Sequence, residues 1–187
     1  MAILFWGPVL ILLVYAVFIY NSLVQIKHNV AKAWSNIDVL LKQRHDELPK
    51  LIETCKQYKQ FEQDTLRQVT EARSRVQQAG AVGDIAALGL AEGALRSGLG
   101  QIFAVVEAYP ELRANEHFAQ LMSRITGLED AIADRRELYN EHVNINNARI
   151  EQFPDVLIAH LFRFGAKPLL TFSAAEKKDV DVKALFN

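Results

Sequence analysis

Hydrophobic and polar positions divide the chain into one segment without charge and several with a helical period. Residues 2–20, "AILFWGPVLILLVYAVFIY", contain no charged side chain. A helix of that length spans roughly 28 Å, close to the hydrocarbon thickness of a bilayer, so the pattern predicts a transmembrane helix. A cleavable signal peptide would need basic residues before the apolar run and a small-x-small site after it. Here Lys27 is the first lysine, and the run ends in Ile19-Tyr20-Asn21-Ser22. Trp6, Tyr15 and Tyr20 include residues suited to the two interfacial belts, and Pro8 is tolerable near the start of a helix. Lys27, Lys32, Lys42 and Arg44 follow the span with only the terminal amine before it, which predicts the N-terminus outside and the remainder in the cytoplasm.

From Asn21 to about Gln78 apolar residues recur at helical spacing. Ile26, Val30, Ile37, Leu41, Leu48, Leu51, Cys55, Leu66 and Val69 fall within about 40° of one line at 100° per residue, predicting one long helix. Pro49 is expected to kink it, in preference to a fresh start capped by Asp46, because the apolar phase runs through the proline. The glycines of "AGAVGD" (79–84) mark a helix end, and Asp84 can cap a second helix from Ile85 to about Ala108. Gly89, Gly93, Gly98 and Gly100 mark that helix as locally weak or closely packed. "YPELRAN" (109–115) is a connector, and a third helix is expected over about 116–151, with Leu121, Ile125, Leu128, Ile132, Tyr139, Val143 and Ile150 on one face and Pro154 as its stop. A short amphipathic piece follows at 154–164. The expected fold is all-α: an N-terminal transmembrane helix running into a long antiparallel up-and-down bundle of three long helices plus a short C-terminal helix. The divisions are an anchor at 1–24, a bundle at 25–164 and a tail at 165–187, whose "DVDVKALF" alternates as an added strand would, or docks on its own bundle, or stays disordered.

Charge and cysteine content narrow the function classes. Lysine and arginine (21) nearly balance aspartate and glutamate (22), so no strong field exists to hold nucleic acid, and no nucleic-acid partner is expected. Cys55 stands alone, which excludes an internal disulfide and a cysteine-based zinc cluster and suits a small core residue. None of the five histidines stands three residues after a glutamate, the spacing a carboxylate-bridged di-metal bundle needs, and phosphate-loop and nucleophile-elbow motifs are missing. No metal, cofactor or catalytic residue is therefore assigned.

Polar residues in apolar company are the remaining signal. Arg44, Glu62 and Arg73 lie within about 20° of the first helix's apolar line, where an isolated charge would cost several kcal/mol, so partners on other helices are expected. Arg44 and Glu62 are too far apart along a helix to meet, and Arg73 comes level with Glu92 if the turn is centred near 82 and 83. The block "YNEHVNINNARIEQFP" (139–154) is rich in asparagine, a middling helix former. Asn140 and Asn147 border the apolar stripe and are placed to hydrogen-bond across a helix interface, whereas Asn144 reads as a solvated edge residue. Asn146 falls on the stripe itself with Tyr139 and Val143, so the packing there is expected to be wet or to meet another chain.

Three stretches in order behind one apolar helix, "YNSLVQIKHNVAKAWSNIDVLLKQRHDELPKL" (20–51), "EAYPELRANEHF" (107–118) and "DRRELYNEHVNINNARIEQFP" (134–154), resemble the LemA family of bacterial membrane proteins. Ala33-Trp34-Ser35, Arg44-x-Asp46, Glu107-Ala-Tyr-Pro, Arg135-Arg136 and Tyr139-Asn140 carry the resemblance together. It departs where the family usually has a second Tyr-Asn pair, here Asn146-Asn147, and in "RHDELPKL", with Glu47 and Lys50 in less usual places. The resemblance implies an N-out anchor in the plasma membrane of the cell envelope and a soluble up-and-down helical bundle, without an established enzymatic activity. It suggests an envelope protein or membrane protease as partner. The expected function is a membrane-anchored scaffold or adaptor that contacts the lipid bilayer and self-associates as a homo-oligomer. The alternatives are a sensor of membrane state acting through the long helix, or an enzyme with a polar cleft near Arg44, Glu62 or the asparagines.

Overall fold

The computed structural model describes residues 2–58 and 61–171, with side chains from Trp6 onward. Six helices follow one another: α1 (Ala2–Lys56), α2 (Gln63–Val82), α3 (Ile85–Val106), α4 (Pro110–Arg113), α5 (Glu116–Glu151) and α6 (Asp155–Leu161). Among the described residues there is no strand. The "DVDVKALF" segment lies outside the described residues.

The long helix expected over 21–78 is two helices. α1 runs without interruption past Pro49 and ends at Lys56, where the apolar positions give way to a polar run. The backbone tightens there, with Gln57 N–H donating to the Thr54 carbonyl at 3.3 Å and Tyr58 N–H to that of Cys55 at 3.1 Å. Such three-residue closures satisfy carbonyls that a continuing helix would have used. α2 then restarts after Glu62, which is extended (φ −62, ψ 106). The count of long helices thereby rises from three to four, and the connector before α5 holds the single-turn α4.

Two compact units form. Among the described residues, the first comprises 2–38 and 134–169, and the second comprises 39–58 and 61–133 together with Leu170 and Thr171. In the first unit, the start of α1 has large apolar side chains on every side: Leu10, Ile11, Leu12 and Leu13, four consecutive positions that circle the helix, are 59–70% exposed. This helix is long and apolar enough to cross a membrane. Burial begins at Ile19 and Leu23, which cluster with Ala159 of α6 and with Ile150, Ile158 and Phe164. Ser22 meets Arg149 (3.3 Å) and Trp34 packs edge-on against Tyr139 (centroids 5.5 Å), so these parts of α1 and α5 run in opposite directions.

In the second unit, α2 ends at Gly83, whose left-handed φ of 73° suits glycine. Asp84 N–H returns to the Ala79 carbonyl (3.1 Å) and Gly83 N–H to that of Gly80 (3.2 Å), the paired bonds of a Schellman end. The Asp84 carboxylate then caps α3 by accepting from Ala87 N–H at 2.9 Å. α2 and α3 pack closely: a Cβ on Gly98 would stand 2.8 Å from Val69 Cγ2, and one on Gly89 would strike the Thr171 carbonyl. Asn115 caps α5 through Phe118 N–H (3.1 Å). Leu48, Leu51, Phe61, Leu66, Leu95, Ile102 and Phe118 are fully buried in this unit, each worth about 1.5–3 kcal/mol of apolar transfer.

Candidate functional site

Two clusters draw together the polar residues that stand on apolar faces, one in each unit. In the second unit Arg44 follows Leu41 by three positions and precedes Leu48 by four, a spacing that turns it inward with them. It is 1% exposed. Its guanidinium donates through Nη2 to both oxygens of Glu92 (2.5 and 2.6 Å) and through Nη1 to Glu129 (2.6 Å). Three helices, α1, α3 and α5, thus meet on one cation. Burial works against the Arg44 charge, but the two carboxylates outweigh it and hold the guanidinium above its usual value. Short charge-assisted bonds of this forked kind fix register between helices, since a slipped helix would leave a buried charge alone.

Beside this cluster Arg73 of α2 reaches α1. Its Nε donates to the His45 carbonyl (3.2 Å) and its Nη2 lies 2.7 Å from His45 Nε2. Because a guanidinium can only donate, His45 must present that nitrogen as an acceptor and stay neutral in this arrangement. Burial first, then the charges of Arg73 and Arg44, lower the His45 pKa below its usual 6.5, with Asp46 opposing. Arg73 was expected level with Glu92; Glu92 receives Arg44, and Arg73 is spent on His45. Glu62 does not lie on a continuing helix face: it is exposed at the start of α2 and accepts from the Thr65 hydroxyl (2.9 Å).

In the first unit the asparagine block faces the chain that follows α6. Asn147 makes a two-way pair with Lys167, its amide donating to the Lys167 carbonyl (2.9 Å) and its oxygen accepting from Lys167 N–H (2.8 Å). Asn146, 3% exposed, donates to the Gly165 carbonyl (3.2 Å) and to the Asn147 oxygen (3.1 Å). Tyr139 adds a bond from its hydroxyl to the Pro168 carbonyl (3.0 Å). These side chains supply the partners that an extended backbone lacks when it lies on a helix instead of in a sheet. Asn140 is half-buried next to Tyr139, and Asn144 is exposed. The amide of Asn146 is satisfied within its own chain, and the residue also lines an open cavity beside Lys27 and Lys167. At the α5–α6 turn, Arg149 Nε and Asp155 Oδ2 form a close ion pair at 2.6 Å without hydrogen-bond alignment.

Glu129, His45 and the Tyr139 hydroxyl were not singled out by sequence reasoning. A signal for the carboxylates was present: Glu92 stands four after Leu88 and three before Leu95, and Glu129 four after Ile125 and three before Ile132. Acids at such positions share a face with core residues, as Arg44 does. Cys55 is fully buried, and burial pushes its thiol up to about 12, so it is a core residue without thiolate character at neutral pH. Among the described residues no three His, Cys, Asp or Glu side chains converge as metal ligands. Both clusters hold charge or amides in internal contacts, with only Arg44 Nε of the central guanidinium left without a hydrogen bond, an arrangement suited to fastening.

Comparison with known proteins agrees with the motif reading. The model of the LemA family matches residues 33–184. Protein LemA of Metamycoplasma hominis is 27% identical, over 89% of this chain and 75% of that protein. Magnetosome protein MamQ 2 of Paramagnetospirillum magneticum is 26% identical, over 78% of this chain and 62% of that protein. Magnetosome protein MamQ of Magnetospirillum gryphiswaldense is 24% identical, over 72% and 58%. The matches thus span less than two thirds of the length of these magnetosome relatives.

Proposed function

The chain belongs to the LemA family, and from that premise we propose that it is a membrane-anchored scaffold of the cell envelope that acts through self-association and protein contacts and not through catalysis. The observation that carries the anchor is the ring of exposed leucine and isoleucine at positions 10–13, which water would penalise on every side and a bilayer would not. In this reading α1 crosses the plasma membrane once, the N-terminus lies outside by the distribution of Lys27, Lys32, Lys42 and Arg44, and the rest forms an up-and-down bundle in the cytoplasm. The scaffold role draws support from where the polar residues go. Arg44, Glu92, Glu129, Arg73 and His45 are engaged with one another, as are Asn146 and Asn147 with the backbone. A bundle fastened this way offers a fixed surface to a second copy or to an envelope protein or membrane protease.

Purification in mild detergent, with size analysis and mass spectrometry of what accompanies the chain, tests this directly. An oligomer or a recurrent partner is expected; a monomer without recurrent companions, confirmed by crosslinking in membranes, refutes it. A second reading, sensing of membrane state, is favoured by one observation: α1 continues unbroken from the apolar segment to Arg44 and beyond. Replacing residues 2–20 by an unrelated transmembrane helix separates the two, since a scaffold tolerates the exchange and a sensor does not.

A further inference from the structure

A cavity of about 430 Å³ opens in the first unit where the apolar part of α1 ends, and its lining has no acidic residue. Lys27 and His28 reach it from α1, and Arg163 and Lys167 from the chain after α6, while Tyr20 and Phe162 form its aromatic side. All four basic side chains are exposed, and among the described residues none of them is joined to a carboxylate. Tyr20 packs at a tilt of 58° against Phe162 (centroids 4.7 Å) and meets Phe164 edge-on (5.9 Å), so the turn through Arg163 (φ 57°) is held against α1. The fastening of Gly165, Lys167 and Pro168 by Asn146, Asn147 and Tyr139 holds the same stretch from its other end. Two cationic residues on an otherwise irregular segment are in this way placed opposite a lysine and a histidine on a helix.

Depth identifies the occupant. If α1 crosses the bilayer as proposed above, on which this inference rests, Tyr20 closes the hydrocarbon span and Lys27 stands roughly 10 Å further on, across the headgroup layer. α6 packs its Ala159 and Ile158 on Ile19 and Leu23, at that same boundary, and leaves Leu157, Leu161 and Phe162 52–72% exposed. Three large apolar side chains exposed beside the end of a membrane span suit acyl chains, and a cationic pocket next to them suits a phosphate. We propose that this pocket binds the phosphate-bearing headgroup of an anionic phospholipid, with the outer face of α6 lying in the interface.

The full chain in mild detergent, offered equimolar phosphatidylglycerol and phosphatidylcholine and read by native mass spectrometry, tests the site. The expected result is an excess of bound phosphatidylglycerol of about tenfold, falling to parity in Lys27→Gln/Lys167→Gln and unchanged in Lys56→Gln, a basic residue elsewhere on α1. Equal retention of the two lipids by the wild-type chain overturns the proposal, as does a double variant that keeps the excess. Added glycerol phosphate is expected to leave the lipid bound; displacement of the lipid at matched concentration assigns the pocket to soluble phosphate compounds and overturns it too. Alkaline carbonate extraction is run in parallel to separate the two claims. A wild-type chain that extracts refutes the anchor together with the site, whereas a chain that stays inserted without lipid preference refutes the site alone.

Discussion

The two units handle polarity in opposite ways. In the second, the largest fully buried side chain among the described residues is an arginine, and its counter-charges come from two other helices. In the first, large apolar side chains are exposed around a helix, while amides that could have faced solvent bind the backbone of a passing segment. Water alone explains only one of these. A surrounding of water stabilises the second arrangement, in which charge is paired and apolar surface is hidden, whereas the first suits the bilayer proposed above, where hydrocarbon would meet part of it.

Removing the central cation should break the contrast most sharply. Arg44→Met leaves Glu92 buried without its forked partner, and a loss of about 3–5 kcal/mol is expected in denaturant unfolding. Replacing all three members, as Arg44→Met/Glu92→Leu/Glu129→Leu, should recover most of that loss, because an apolar set of similar volume has no charge left to desolvate. Next in size is the α2–α3 contact: Gly98→Leu drives carbon into Val69 and is expected to cost about 2 kcal/mol, partly relieved by Val69→Ala. In the first unit Asn147→Ala removes both bonds to Lys167 and should cost about 1–2 kcal/mol. That loss should be local, seen as faster hydrogen exchange and proteolysis near residues 165–168.

The smallest effect expected is one of pH. Neutral His45 accepts from Arg73, and its pKa in the folded chain is lowered, by burial first and then by Arg73. As pH falls through 6.5, the usual histidine value, the unfolded chain takes the proton before the folded one does. The stability associated with neutral His45 is therefore present above 6.5 and is lost on acidification towards its lowered native value. His45→Gln should flatten the dependence of the unfolding midpoint on pH in that window.

Much of the helix pattern was legible because it is local. Asp84 as a cap, Gly83 as a helix end, the run of α5 from residue 116 to 151 and Pro154 beyond it follow from backbone chemistry within a few residues. The break after Lys56 was hidden by phase: Leu66 and Val69 fall on the same 100° line as Leu48 and Cys55, so a helix that stops and restarts leaves an unbroken stripe. The polar run between them, where apolar positions lapse, was the better guide. At Pro49 α1 continues and does not start afresh after Asp46, as the unbroken apolar phase implied. The partners of Arg44 were not legible, because which acid comes level with it depends on the offset between helices, and that offset moves with the length of the break and of α4. Asn146 was read as a misfit for want of a visible acceptor; the acceptor is a carbonyl 19 residues later, in a segment with no periodicity to betray its position.

The central claim is that the buried charges fasten the fold and perform no chemistry, and the apolar triple variant at Arg44, Glu92 and Glu129 tests it most directly. Purified in mild detergent, it is expected to show the same oligomer size and the same co-purifying proteins as the wild-type chain, at a comparable unfolding midpoint. A variant that folds and inserts normally yet loses its companions would contradict the account, and would mark the cluster as a functional site.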